Sequence, residues 1–461
     1  MRFFKQNRQS FKYEVVALCL LSMLAWVYFF EWGNTHIYIL IASILGLYMA
    51  CNIWANDVAN NMGPAVGSKA ITLTWAIIIA AIFEASGAII AGWDVVNTIK
   101  GGIIAPNSSD IADSGIYIFV MMSTLLGAAI WINVATVLKA PVSATHSIIW
   151  ALLGAWVSAY GLHVINWSTI GNIAASWVIS PVLWGIISAL LLYSITKNIL
   201  QKDDRIHAAK VWVPIYIAGM FWIFSVYLIL KWLKPLISSS PVLQELLTLN
   251  FALFAGCIIA CASYIIARVY FKKHSGLFKN SKKFINSLFN VPLICAVALL
   301  SFAHGSNDVA NAIGPLAAIV DRVQNTGLSS EALVGIPLWI MILWALWLVA
   351  GLSLFGGRLI KTVGKEITKL NQTRAYAVAL SAAITVLIAS QLGLPVSSTH
   401  IAIGWVFGVG FLRSFLKKLK GKQKTYVEKE MIGHIVLSWI VTLPISAAIA
   451  SGIFFSLKLL N

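Results

Sequence analysis

Charge is what this chain lacks. Asp, Glu, Lys and Arg make up 11% of its 461 residues, against about 25% in soluble domains, and that shortage excludes a large soluble domain. Acidic residues are the scarcer kind, 16 against 33 Lys and Arg. The basic surplus does not point to nucleic acid, because it gathers in short loops between apolar runs, as the positive-inside rule expects. Cysteine is sparse as well, with five in the chain. Cys257 and Cys261 stand one helical turn apart, but no His or acidic residue lies beside them, so they read as small buried hydrophobes and not as metal ligands. A small-residue cleavage site is also missing. Arg2, Lys5, Arg8 and Lys12 precede an apolar run over 15–30, but Glu31-Trp32-Gly33-Asn34 follows it, so the run reads as a retained membrane helix.

Apolar length is what the chain has. It is 59% hydrophobic, with a mean hydropathy of +0.85, which predicts an all-α polytopic membrane protein. Apolar runs are expected over 36–54, 72–92, 116–138, 148–162 and 172–196, then over 212–233 and 247–270. From 291 the first pattern begins again and continues to about 457. Four basic loops punctuate these runs: Lys197 to Lys210, Lys272 to Lys283, Arg358 to Arg374, and Arg413 to Lys429. The expected organisation is a tail and extra helix (1–35), a first repeat (36–196), basic loops with a linking helical hairpin (197–290), and a second repeat (291–461).

The repeat carries its own motifs. Asn56-Asp57-Val58-Ala59-Asn60, followed by Gly63-Pro64, recurs as Asn307-Asp308-Val309-Ala310-Asn311, followed by Gly314-Pro315. Pro141-Val142-Ser143-Ala144-Thr145-His146 recurs as Pro395-Val396-Ser397-Ser398-Thr399-His400, and Ser176-Trp177 with Pro181 is echoed by Ser438-Trp439 with Pro444. The same order at similar offsets indicates internal duplication. With the N-terminus and the basic loops in the cytoplasm, the first Asp segment enters the membrane from outside and its twin from inside. The Pro141 and Pro395 segments then go in and come back from opposite faces. The halves are inverted, the architecture of many secondary transporters, with broken helices expected at the two Asp motifs and two re-entrant hairpins.

An aspartate in hydrocarbon costs about 3 kcal/mol even on mild insertion scales, so two copies in duplicate surroundings indicate an ion site. Asn56, Asp57, Asn307 and Asp308 offer hard oxygen ligands suited to a small cation such as Na⁺, and the Gly-Pro that follows each suggests unwound backbone with free carbonyls. In the hairpins, proline ends one helix and suits the first turn of the next. Ser143, Thr145, Ser397, Ser398 and Thr399 then stand at half-helix N-termini, where backbone N–H groups favour an anion. Two such termini from opposite faces would clasp a tetrahedral oxyanion. The plainer reading makes these residues ordinary caps or interhelical hydrogen bonds. No Lys or Arg lies inside the motifs, so a bound cation would neutralise the aspartates and help to hold the anion. His146 and His400 are either proton carriers or structural histidines fixing the hairpins. Glu84, inside an apolar run, is either a coupling residue or a structural pair.

Ala55–Asn60, Gly305–Asn311 and both Pro-Val-Ser-x-Thr-His elements resemble the inorganic phosphate transporter (PiT) family, from about Tyr48 to the C-terminus apart from the middle hairpin. The resemblance implies a symporter of the cell membrane, not an enzyme, that carries inorganic phosphate with Na⁺ or H⁺ by alternating access. It also implies inverted repeats, often a homodimer, and no cofactor beyond the coupling ion. Carried over by motif, Asn56, Asp57, Asn307 and Asp308 would hold the cation, while Asn60, Asn311 and the hairpin Ser and Thr residues would hold phosphate. Trp54 stands where the family usually has glycine, and Asn61 where a small residue is usual. Two rival readings fit part of the pattern. Sulfate is also tetrahedral, but it cannot donate a hydrogen bond to Asp57 or Asp308. An intramembrane aspartyl protease would share a proton between paired carboxylates, but it has no use for two Ser/Thr hairpins.

Overall fold

The computed structural model describes residues 36–104, 114–138, 142–237, 249–274, 276, 278–324, 338–352, 370–418 and 429–460. The predicted helix over 15–30, Pro141 and most of the last two basic loops lie outside these residues, as do the side chains of Asn56, Ser438 and Trp439. The described chain is helical throughout: α1 His36–Gly67, α2 Leu73–Ala91, α3 Trp93–Asn97, α4 Ser114–Val137, α5 Ala144–Tyr160, α6 Trp167–Ile195 and α7 Arg205–Ile237. Beyond residue 248 come α8 Leu249–Lys273, α9 Lys282–Ser287, α10 Asn290–Gln324, α11 Leu338–Gly351, α12 Gln372–Gln391, α13 Ser398–Lys418 and α14 Lys429–Leu459. Among the described residues, nine helical segments are long and apolar enough to cross a membrane. Helix is the form such runs must take, because every backbone N–H and C=O within lipid has to be paired inside its own segment.

The protein is an all-α polytopic membrane protein built as an inverted repeat. α1 and α10 pack against each other at its centre. The α4–α5 hairpin belongs to the first half and the α12–α13 hairpin to the second. Each hairpin's second arm packs on the opposite half, α5 on α14 and α13 on α6. Glycine makes these crossings close. A Cβ at Gly154 would stand 2.3 Å from the Ala447 carbonyl oxygen, and one at Gly408 would stand 2.2 Å from that of Gly185. Ser446 ties the first crossing by donating to the Ser147 carbonyl at 2.6 Å.

The tips of the two hairpins meet. Thr145 donates to the Val396 carbonyl at 3.0 Å and Thr399 donates to the Val142 carbonyl at 3.2 Å, a reciprocal pair related by the repeat. The second tip also rests on Asn307, the eighteenth of the 35 residues of α10. It therefore reaches only the middle of the longest central helix, as a re-entrant element should.

One expectation is corrected. α1 and α10 run unbroken through Asn56-Asp57 and Asn307-Asp308. The polar side chains find partners laterally on the hairpins, so the backbone has no need to unwind to satisfy them. The prolines still act, inside the helices: Pro64 and Pro315 lack the N–H that would bond four residues back, which removes the helical donor from the carbonyls of Asn60 and Asn311. The real interruptions of the apolar pattern are the hairpin tips. After Gly92 the chain forms α3 and a π-helical turn at Thr98–Gly102.

The α2–α10 contact is equally tight, since a Cβ at Gly87 would lie 1.9 Å from the Phe302 carbonyl oxygen. Gly87→Ala should therefore force these helices apart and destabilise the protein by about 1–3 kcal/mol. Gly171, whose Cβ would meet nothing within 4 Å, should accept Ala without loss. Thermal unfolding of the two variants in detergent checks this difference.

Candidate ion and anion site

α1 and α10 bring their aspartates to one place. Asp57 and Asp308 are both buried, and each offers a carboxylate oxygen which, with one ring nitrogen of His304, forms a group of atoms all within 4.8 Å of one another. Helical spacing explains the histidine, because a residue four positions before Asp308 lies on the same face of α10. His304 Nε2 stands 2.8 Å from Asp308 Oδ2, and its Nδ1 stands 3.6 Å from Glu84 Oε1 on α2. Asn61 completes the row by donating to Glu84 Oε1 at 2.7 Å. Trp54 lies edge-on to the imidazole, with centroids 5.6 Å apart.

The surroundings of Asp57 differ. Asn60, on the next turn of α1, points its amide at Asp57 Oδ1 from 3.4 Å. Ser398 and Thr399, in the first turn of α13, present hydroxyls to the same carboxylate. A histidine thus attends one aspartate, and the hydroxyls of a hairpin tip attend the other.

The anion-side residues converge on the tips. Asn311 donates to Thr145 Oγ1 at 3.3 Å, so the Asp motif of the second half touches the hairpin of the first. Ser143 and Ser397 are N-caps, accepting from the backbone N–H of His146 at 3.1 Å and of His400 at 3.2 Å. Both are caps in this structure, and each fixes the start of a helix whose first-turn threonine donates to the opposite tip. Asn307 uses both ends of its amide on the second tip. Its Oδ1 accepts from Val396 N at 2.9 Å, and its Nδ2 donates to Leu394 O at 3.0 Å and to Ser390 Oγ at 3.2 Å. Asn307 therefore holds the tip beside Asp308, and its oxygen is already engaged. For Asn56 only the backbone, within α1, is described.

Behind the tips, His146 and His400 meet edge-on with centroids 4.3 Å apart. Trp177 covers His146 at 3.9 Å, its carbonyl faces His400 Nδ1 at 3.3 Å, and its indole donates to Pro395 O at 3.0 Å. These contacts favour the structural reading of both histidines.

The sequence reading passed over His304, whose signal was its place one helical turn before Asp308. It flagged Glu84 without a partner, and the structure supplies two, Asn61 and His304. The arrangement as a whole sets two buried carboxylates beside the N-termini of α5 and α13, where the two hairpin tips meet.

Comparison with known proteins gives a consistent result. The family described as "Phosphate transporter family" matches residues 53–450. A Helicobacter pylori protein named "Putative phosphate permease" is 49% identical over 418 residues, covering 90% of this chain and 76% of that one. A Thermococcus kodakarensis protein of the same name is 35% identical over 419 residues, covering 90% and 97%. A solved structure, "The sodium-dependent phosphate transporter", superposes with a TM-score of 0.81 at 33% identity, over 92% of this chain and 100% of that chain.

The clasp on the second tip makes a direct prediction. Asn307→Ala leaves the Val396 N–H and the Leu394 carbonyl without that partner, at a cost of about 1–3 kcal/mol for each group left unsatisfied. The midpoint of thermal unfolding in detergent should fall by several degrees. An unchanged midpoint would show that the clasp contributes nothing to the fold.

Proposed function

Because this chain belongs to the phosphate transporter family, we propose that it is a secondary active symporter that imports inorganic phosphate together with Na⁺ by alternating access. The observation that carries this reading is the reciprocal meeting of the two hairpin tips beside the buried Asp57 and Asp308. Phosphate binds between the tips, at the N-termini of α5 and α13. Thr145, Thr399, Ser398 and the first backbone N–H groups supply donors, with the caps Ser143 and Ser397 holding those turns in place. The threonine hydroxyls now serve carbonyls of the opposite tip, so binding exchanges those two bonds for bonds to the anion. Asn60 and Asn311 border the same space.

The cation site lies at Asp57 and Asp308, with Asn56 and Asn307 beside them, and the carbonyls of Asn60 and Asn311 released by Pro64 and Pro315 are available as further oxygens. Two carboxylates this close to a phosphate would repel it. A cation between them removes that repulsion, so anion and cation bind together and neither binds well alone. This is the physical origin of coupling, and it needs no basic residue in the site. Alternating access follows from the inverted hairpins: each closes the site from its own face, and opening one while the other stays shut exposes the site to one side at a time. By the positive-inside rule, the basic loops support an N-terminus in the cytoplasm.

A second coupling ion is supported by one observation. His304 between Asp308 and Glu84 forms a row of proton-carrying groups, which favours H⁺ as the alternative to Na⁺. Sulfate is the weaker substrate, since a phosphate O–H can bond to a carboxylate that sulfate would only face as an anion. The protease reading fails, because the family is one of transporters and not of enzymes.

Radiolabelled phosphate uptake into proteoliposomes tests the proposal. Uptake should require an inward Na⁺ gradient, should resist competition by sulfate, and should be abolished by Asp57→Asn or Asp308→Asn. A pH gradient that drives uptake in the absence of Na⁺ would select the proton reading. Undiminished uptake in both aspartate variants would remove the site assignment.

A further inference from the structure

A group of polar contacts gathers on a short segment that the phosphate site does not use. α3 and the π-helical turn Thr98–Gly102 follow α2 at the end of the bundle remote from the basic loops. Asp94 of this segment pairs with Lys231, near the far end of α7. The same ammonium donates at 3.0 Å to the carbonyl of Ser390, in the last turn of α12, where a cation complements the helix dipole. Thr98 donates at 2.6 Å to the carbonyl of Gly393, inside the second hairpin tip. Lys100 pairs with Asp321 of α10 at 2.9 Å. Gly393 has φ +67°, and a Cβ there would stand 3.2 Å from the Asp94 carbonyl oxygen, so conformation and close approach both require glycine.

Lys231 is buried in a helix of the linking hairpin, outside both repeats. A buried ammonium at membrane depth is costly unless it serves a purpose. It could simply staple the linking hairpin to the bundle, but the place where the staple lands argues for more. Ser390, whose carbonyl it grips, bonds through its hydroxyl to Ser306 and to Asn307, and Asn307 holds the tip through Leu394 and Val396. The ion pair thus joins three parts of the chain at the hairpin that closes over Asp308, and Ile99 of the same segment packs against Gly314 of α10.

We propose that Lys231 is a positioning residue for transport. With Asp94 and Thr98 it forms a latch that presses the Trp93–Gly102 segment onto the tip of the α12–α13 hairpin. The latch shuts the site on the side away from the basic loops, the outer face by the positive-inside rule, and it must release for that side to open. The inference rests on the transport reading for its purpose, but its structural content can be tested separately.

The test uses a reporter, Ile99→Cys, buried at the latched contact, probed in intact cells with a membrane-impermeant methanethiosulfonate reagent and corrected for the parental protein. The double variant Asp94→Asn/Lys231→Met removes both charges and strands neither. It should raise reporter reactivity by about tenfold, as expected when an open state of a few per cent becomes a substantial fraction. Asp94→Glu, which keeps the pair, should retain the low reactivity. If the double variant does not elute as a folded protein, Thr98→Val, which removes one hydrogen bond, should give a smaller rise. Reactivity unchanged in the folded variants overturns the latch. Phosphate binding by the purified protein, measured alongside, separates the two ideas: a reporter that responds in a protein unable to bind phosphate keeps the latch and defeats the transport reading.

Discussion

Two carboxylates buried side by side within a membrane bundle are the constraint on which the rest of this structure depends. Each loses the solvation of water, at an effective cost of several kcal/mol per ion, and each repels the other. The protein meets that demand with polar groups from three elements: Asn60 from the next turn of α1, His304 from the preceding turn of α10, and the hydroxyls of Ser398 and Thr399 at a hairpin tip, the latter donating to the Val142 carbonyl. The glycine-lined crossings bring the hairpin arms close to the opposite half, and the tips meet through the Thr145 and Thr399 hydroxyls. On the proposed reading, a cation between the aspartates and an anion between the tips would complete the same electrostatic balance.

The fold is two-fold, but its chemistry is not. The place of His304 in the first motif is taken by Ile53, and the place of Gly305 by Trp54, whose ring lies edge-on to His304. Glu84 has no counterpart in the second half, and Asn61, the unusual residue of the first motif, is the side chain that donates to it. The two departures in the first motif are therefore directed at the histidine–glutamate row. The scaffold is symmetric and its polar contacts are not: repetition supplies the two hairpins, and divergence makes the surroundings of Asp57 and Asp308 unequal.

Much of this was legible in the sequence because its signals are expensive ones. Aspartates inside apolar runs, prolines that interrupt them and their recurrence in the same order pointed to the inverted halves, the hairpins and the polar residues that meet between them. What sequence left hidden depended on partners remote in the chain. The helices were expected to break at Asn56-Asp57 and Asn307-Asp308, because local reasoning gives a polar cluster in lipid no neighbour to satisfy it. The neighbours of Asn307 lie more than 80 residues away, at Ser390, Leu394 and Val396. His304 was readable in principle from its helical spacing, but it sits in an otherwise apolar stretch that reads as membrane helix. Lys231 and Asp94 are 137 positions apart, and no local pattern pairs them.

The central claim is that the cation at Asp57 and Asp308 is what allows the anion to bind. Equilibrium binding of radiolabelled phosphate to the purified protein in detergent, titrated at increasing Na⁺ with choline holding ionic strength constant, tests it without membrane or gradient. The account predicts that phosphate affinity rises with Na⁺, and that phosphate in turn raises Na⁺ affinity by the same factor, as linkage requires. Phosphate binding that is equally tight in choline alone, at fixed pH, would contradict it.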